Sequence, residues 1–283
     1  ARNDDELADG LAAARQEAAA AFGNGAVYVE KFLEHARHVE VQCLGDKHGH
    51  AVHLYNRDCT SQRRHQKLIE EGPAPGVDAK IRDGVCESAA SLIRNAKYSG
   101  AATVEFLMDR QQHFYMLEVN TRVQVEHPVT EAITGVDIVK ESIRVAAGEP
   151  LSIRQEDVRL NGHAIECRIN AEDPDRDFMP QPGLVETFQP AGGFGVRVDT
   201  HVRPGYCIPP NYDSMIGKLI VHGCDRAEAI VKMKRAIDEF RVGPIKTTLP
   251  LHRRLLGSAP FVEHDFDIHW VEQLLEKQQD AVA

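Results

Sequence analysis

Apolar residues recur at helical spacing almost from the start of the chain. Leu7, Leu11, Ala14 and Ala18 fall on one side of the Ala-rich segment Asp5 to Phe22, which Gly23-Asn24-Gly25 terminates. This predicts a helix, and the next segment, Ala26 to Phe32, reads as a strand. Residues 38–44 then alternate, with His38, Glu40 and Gln42 opposite Val39, Val41 and Cys43, which predicts a strand with one polar face. The turn-rich stretch 45–50 returns the chain into Ala51 to Arg57 as a hairpin. Between Asp78 and Tyr98 the residues Ile81, Val85, Leu92, Ile93 and Ala96 form a helical stripe stopped by Ser99-Gly100. Ala101 to Met108 and His113 to Asn120, both rich in β-branched or aromatic residues, predict a second hairpin around the polar DRQQ. Gly135 to Ala147 reads as the next helix.

The texture changes beyond Leu151. A strand-like GHAIECRIN gives way to a Pro- and Gly-rich stretch from Pro174 to Gly205, and two or three helices follow. One of them, Asp225 to Phe240, opens with the capping-box pattern D-R-A-E and carries Ile230, Met233, Ile237 and Phe240 on one side. The change of texture places a subdomain boundary near residue 160.

A chain of 283 residues holds one large core or two modest ones. Its 43 acidic against 33 basic side chains, a net charge of -10, argue against a general nucleic-acid binder, so any anion site is local. The six cysteines lie far apart without zinc-ligand spacing and read as reduced thiols of a cytoplasmic protein. No apolar run approaches the roughly 20 residues that cross a bilayer, and no secretory leader pattern opens the sequence. The expectation is therefore no membrane and no nucleic acid. The first residue is Ala1 and a helical pattern begins at once, so the sequence is expected to start inside a longer product.

Four strings carry candidate chemistry. In EVNTRVQVEHPVTE, residues 118–131, strand alternation puts Glu118, Asn120 and Arg122 in one polar row, and the predicted hairpin sets Glu105 opposite Glu118. Two carboxylates and an amide oxygen converging from paired strands suit Mg²⁺, whereas the plain alternative is a solvated face with cross-strand charge pairing. Residues 56–67, NRDCTSQRRHQK, read as a loop that concentrates Arg57, Arg63, Arg64, His65 and Lys67; it is either an anion-binding loop or a solvated charged surface. In GHAIECRINAEDP, residues 162–174, alternation groups Glu166, Arg168 and Asn170, with Arg168 as an anion contact or a structural ion pair. The fourth, PPNYDSMIGKLI at 209–220, is a turn followed by an apolar segment.

Together and in this order the strings resemble the biotin carboxylase family, over about Asp5 to Leu275. RDC-x-x-QRRHQK and E-x-NTR-x-QVEHPVTE are long and specific. The resemblance implies an α+β, ATP-grasp fold with a largely antiparallel sheet: residues 1–32 as a remnant of its lid domain, 33–160 as the catalytic domain, 161–276 as the biotin carboxylase C-terminal subdomain and 277–283 as a tail. It also implies that a Rossmann-like domain and a glycine-rich phosphate loop precede the segment, which is then N-terminally truncated and inactive by itself. Carried over by position, Glu30, Lys31 and Leu33 correspond to the adenine hinge. His38, Gln62, His65 and Leu107 correspond to nucleotide contacts, and Glu105, Glu118 and Asn120 to the ligands of Mg²⁺ or Mn²⁺. Lys67, Arg122, Gln124 and Val125 match the bicarbonate pocket, Glu126 the general base, and Arg168 the residue that steadies the biotin enolate with Arg122.

The implied activity is carboxylation of biotin from ATP and bicarbonate, as in acetyl-CoA carboxylase or a related enzyme. No Met-Lys-Met attachment site is present, because Lys232-Met233-Lys234 lies on an amphipathic helix, so a biotin carboxyl carrier and a carboxyltransferase are expected partners and a homodimer the expected assembly. The competing expectations are another ATP-grasp ligase and a non-catalytic assembly module.

Overall fold

The computed structural model describes residues 1–280; of the expected tail, 277–283, the last three residues lie outside the described ones. The backbone divides into two compact units, residues 1–34 and 35–283. In the first, α1 (Asp4–Phe22) is capped by Asn3, whose side chain accepts from the Glu6 N–H, and closed by Gly23 at φ 69°. None of its residues is buried. The strand expected over 26–32 does not form; the segment is irregular, and Tyr28, Val29 and Phe32 are exposed. Strand propensity needs a ladder partner to become a strand, and among the described residues none pairs with this one.

The second unit begins with β1 (Arg37–Gly45) and β2 (Ala51–Arg63), the predicted hairpin with its second strand extended by six residues. The segment 56–67 read as a loop is strand on both sides of a two-residue turn, since β3 (Gln66–Gly72) follows at once. Arg64 and His65 supply the positive φ angles, 48° and 62°, that such a turn demands and that Asn-Gly usually provides. Next come α2 (Ala79–Asn95), β4 (Gly100–Met108) and β5 (Phe114–Asn120), all near their predicted places.

The helix expected over 135–147 forms as α4 (Ile138–Ala146), capped by the Asp137 side chain, and a helix the pattern did not predict precedes it, α3 (His127–Thr134), ended by Gly135 at φ 72°. After β6 (His163–Asn170) the Pro- and Gly-rich region forms short strands: β7 (Glu172–Asp173), β8 (Met179–Pro180), β9 (Gly183–Leu184) and β10 (Thr187–Gln189). Then follow β11 (Val196–Thr200), β12 (Cys207–Ile208), β13 (Met215–Gly223), α5 (Arg226–Glu239) and β14 (Arg241–Gly243). Three further helices, α6 (Leu249–Leu255), α7 (Ala259–Glu263) and α8 (Trp270–Asp280), bring the closing set to four rather than two or three.

Eight strands make one antiparallel sheet in the order β11-β13-β6-β3-β2-β1-β4-β5, continuous from the first hairpin into the C-terminal half. Helices α2 and α5 cover one face through apolar clusters around Val41, Cys86 and Ile93 and around Ile165, Leu219 and Met233. Helices α3 and α4 cover the other. Met233 is buried on α5, in keeping with a packing role for Lys232-Met233-Lys234. All six cysteines are free, and no described helix is long and apolar enough to cross a membrane.

Candidate functional site

The polar row of β1 does not face water. His38, Glu40 and Gln42 are buried on the α3 side of the sheet, where β2, β3, β4 and β6 add more charged side chains. Such groups are costly to bury unless they neutralise one another, and they do so in a continuous network.

Arg57 is fully buried: Nε donates to Glu40 Oε1 at 2.7 Å, and Nη1 donates to Gln42 Oε1 and Thr130 Oγ1, each at 2.8 Å. It ties β1 and β2 to α3 and does not line the cavity, which corrects its place in an anion-binding loop. The rest of that basic cluster divides as well. Arg63 and Arg64 turn to Asp177, while His65 and Lys67 line the cavity.

Lys67 Nζ meets three carboxylates: Glu40 and Glu126 at 2.6 Å and Glu105 at 3.1 Å. Burial disfavours its charge, but the acidic surroundings outweigh burial and push its pKa above the ordinary lysine value. Burial likewise works against ionising Glu40 and Glu105. The Arg57 and Lys67 charges nevertheless hold Glu40 at about 2, and the His38 ring, Lys67 and Gln124 hold Glu105 at about 2. The His38 Nε2 atom lies 2.9 Å from Glu105 Oε2 without the alignment of a hydrogen bond. Glu126 is gripped from two sides, by Lys67 on Oε1 and by Arg168 Nη2 on Oε2 at 3.0 Å. Arg168 Nε in turn donates to Glu70 Oε1 at 2.5 Å.

Above this floor, Glu105 and Glu118 are direct partners across the β4–β5 ladder, as the hairpin argument expects. The Asn120 Nδ2 donates to Glu105 Oε1 at 3.0 Å and to Glu118 Oε1 at 2.9 Å, and Arg122 Nη2 donates to Asn120 Oδ1 at 3.2 Å. An amide N–H donor group between two carboxylates marks the place a cation would take. Turning the amide would present Oδ1 instead, so the donor set of two carboxylates and one amide oxygen fits a hard divalent ion. Two other clusters, His38-Glu40-Glu105 and Glu40-Cys59-Glu126, bring ligand-type atoms within 4.8 Å, but the Lys67 ammonium already serves their carboxylates.

A cavity of about 660 Å³ gathers nearly every candidate: His38, Gln62, His65, Lys67, Glu105, Leu107, Glu118, Asn120, Arg122, Gln124, Val125, Glu126 and Arg168. Glu30, Lys31 and Leu33 belong to the N-terminal unit, with Glu30 and Lys31 exposed. The sequence reading missed Glu40 and Glu70 as partners of the site's cations and Lys218, which donates to the Val125 carbonyl at 2.9 Å. The signal available for Glu40 was its place in the polar row of β1; for Lys218 it was a charge inside a largely apolar strand, and for Glu70 a charge next to Glu71 in a strand read as part of a loop and its flank. Such a cavity, with fixed cations beside carboxylates able to hold a metal, can bind a polyphosphate and a small anion together and offer a carboxylate as proton acceptor.

Comparison with known proteins agrees. Residues 1–154 match the family described as carbamoyl-phosphate synthase L chain, ATP binding domain, and residues 166–273 match the biotin carboxylase C-terminal domain. The chain is 52% identical over 273 residues to biotin carboxylase 1 of Bacillus subtilis and 55% identical over 273 residues to biotin carboxylase of Pseudomonas aeruginosa, covering 96% of this chain in both cases. It spans 61% and 60% of the length of those two relatives. Among solved structures, the biotin carboxylase domain dimer of Hydrogenobacter thermophilus 2-oxoglutarate carboxylase, in complex with MgADP, ADP and bicarbonate, superposes with a TM-score of 0.89 at 44% identity, over 96% of this chain and 60% of that one. A shared ATP-binding half and a matched carboxylase-specific half, in one continuous sheet, place the chain in the biotin carboxylase family.

Proposed function

We propose that the protein to which this chain belongs carboxylates biotin at the expense of ATP and bicarbonate, forming ADP. The observation that carries this reading is the position of Glu126, held between Lys67 and Arg168 in the same cavity as the Glu105–Glu118–Asn120 row. Bicarbonate is a poor electrophile, and phosphorylation to carboxyphosphate activates it. Lys67, Arg122, Gln124 and Val125 would seat the anion, and Glu126 would take its proton as the oxygen attacks the γ-phosphorus. In-line phosphoryl transfer depends on positioning and on neutralising charge. Mg²⁺ or Mn²⁺ held by Glu105, Glu118 and Asn120 would supply that neutralisation on the phosphates.

His38, Gln62, His65 and Leu107 would contact the nucleotide, with Glu30, Lys31 and Leu33 at the adenine. Breakdown of carboxyphosphate gives carbon dioxide and phosphate beside biotin; the phosphate would take the ureido proton, and the nitrogen attacks only as the resulting enolate. The Arg168 and Arg122 guanidiniums would steady that oxyanion, a type of contact worth several kcal/mol elsewhere.

The same proposal includes the lid remnant over 1–32, a boundary near residue 160, a biotin carboxyl carrier and carboxyltransferase as partners, and a homodimer like that of the Hydrogenobacter relative. A cytoplasmic setting accords with six free thiols. The final acceptor would be acetyl-CoA, a related acyl-CoA or a keto acid. The test is ADP formation by the full-length protein with and without bicarbonate and free biotin. Dependence on bicarbonate and stimulation by biotin support the reading; ADP formation indifferent to both overturns it.

A further inference from the structure

Beneath Arg168 lie two buried acids, one of which has no task in the chemistry above. Glu70 on β3 and Glu166 on β6 are direct partners across an antiparallel ladder, and neither is exposed at all. Such partners hold their Cβ atoms about 5 Å apart, so the two carboxyls face one another in dry surroundings. Glu70 gives one oxygen to Arg168 Nε. Its other oxygen and both oxygens of Glu166 are buried and meet no donor.

The neighbouring cations are already engaged. Arg168 reaches Glu126 through Nη2, and Lys67 serves Glu40, Glu105 and Glu126. Lys218, the β13 partner of Arg168, donates to the Val125 carbonyl and lies 3.7 Å from Asp199. From α3 the residues packed on this side of β6 include the apolar Val129 and Ile133.

Three acceptor oxygens gathered without a donor are expensive, and two facing carboxylates in a dry site do not both ionise. We propose that Glu166 is a neutral carboxylic acid whose O–H donates to Glu70, and that by pinning Glu70 it sets the aim of Arg168 into the cavity. One proton then satisfies Glu70 Oε2 and removes the repulsion at once. Were both acids charged, they would compete for the single guanidinium and draw it down, away from the cavity. Burial pushes Glu166 well above the ordinary carboxyl range, Glu70 pushes the same way, and Lys218 and Arg168 oppose them. Of the two facing acids, Glu70 and not Glu166 hydrogen-bonds the guanidinium, which leaves Glu166 as the holder of the proton.

Glu166 is thus a positioning residue for the biotin step, an inference that rests on the biotin carboxylase reading of the cavity. Two readouts on the full-length protein test it separately. Infrared difference spectra between wild type and Glu166→Gln at neutral pH should contain the C=O stretch of a protonated carboxylic acid; its absence overturns the proposal whatever the enzyme's activity. In turnover assays Glu166→Leu should lower kcat for free-biotin carboxylation by about tenfold and leave bicarbonate-dependent ATP cleavage within about twofold. Glu166→Gln, which keeps a neutral donor of the same shape, should restore biotin turnover. A glutamine variant as impaired as the leucine variant would contradict the assignment. Failure of the wild type to carboxylate biotin would instead refute the functional reading, and the infrared band would still decide where the proton sits.

Discussion

Lys67 and Arg122 present positive charge to the same cavity from opposite circumstances. Lys67 on β3 has a side chain only 11% exposed and three carboxylates against its ammonium. Arg122 is exposed just beyond β5, the edge strand of the sheet, and it donates to the Asn120 amide oxygen and the Val123 carbonyl. Glu105 and Glu118 repeat the contrast: one is buried and held by Lys67, Gln124 and Asn120, the other is exposed and bonded by Asn120. The floor of the site is therefore assembled by folding itself, because its charges cannot be buried unless they are paired. The rim is free to take its geometry from a ligand. Floor substitutions should damage stability and activity together, whereas rim substitutions should damage activity alone.

The sharpest way to break this contrast is Lys67→Met. It leaves three buried carboxylates without their shared cation, so the full-length protein should lose about 3–5 kcal/mol of stability in urea titration and at least ~100-fold in bicarbonate-dependent ATP cleavage. Full stability with lost activity would show that the floor is not a folding element. Glu118→Gln should likewise abolish bicarbonate-dependent ATP cleavage, by roughly 100-fold or more, but keep stability within about 0.5 kcal/mol. Wild-type turnover in that variant would remove Glu118 from the metal site.

Arg168→Ala should separate the two half-steps, lowering biotin carboxylation more than bicarbonate-dependent ATP cleavage. Equal losses would count against an enolate role. The mildest effect concerns acid. Glu40 and Glu105 are held at about 2, below the ordinary carboxyl value of 4.5, so the unfolded chain binds protons more readily than the folded one. Their contribution to stability is complete above the unfolded value and disappears as pH falls through the folded one. The urea midpoint should decline between about pH 5 and pH 2, and less steeply in Lys67→Met. Equal slopes would mean that Lys67 is not what holds these carboxyls down.

Period-two alternation around the polar turn put Glu105 opposite Glu118, and an irregularity between Glu105 and Phe106 delivers that pairing: the register next to the turn, Phe106 with Met116, would have set Glu105 against Leu117. The same logic could not show that the polar row of β1 is buried. Alternation separates two faces without saying which one a helix covers, and only the packing of α3 reveals that Glu40 lies inside. β3 was hidden for a different reason: its turn uses Arg64 and His65 where a hairpin signal would be Asn-Gly, so a basic run looked like a loop. Residues 26–32 failed in the opposite sense, since their strand propensity was real and lacked a partner. The resemblance to the family supplied what spacing could not, namely that Lys67, Glu126 and Arg168, which lie on three separate elements of the fold, share one cavity.

The proposed activity requires that carboxylates from neighbouring strands hold a divalent ion against a bound nucleotide. Calorimetric titration of ADP into the full-length protein, with and without Mg²⁺, in wild type and Glu118→Gln, tests this most directly. Tighter ADP binding with Mg²⁺ in the wild type, and no such gain in the variant, is the predicted result. An equal Mg²⁺ effect in both proteins would contradict it.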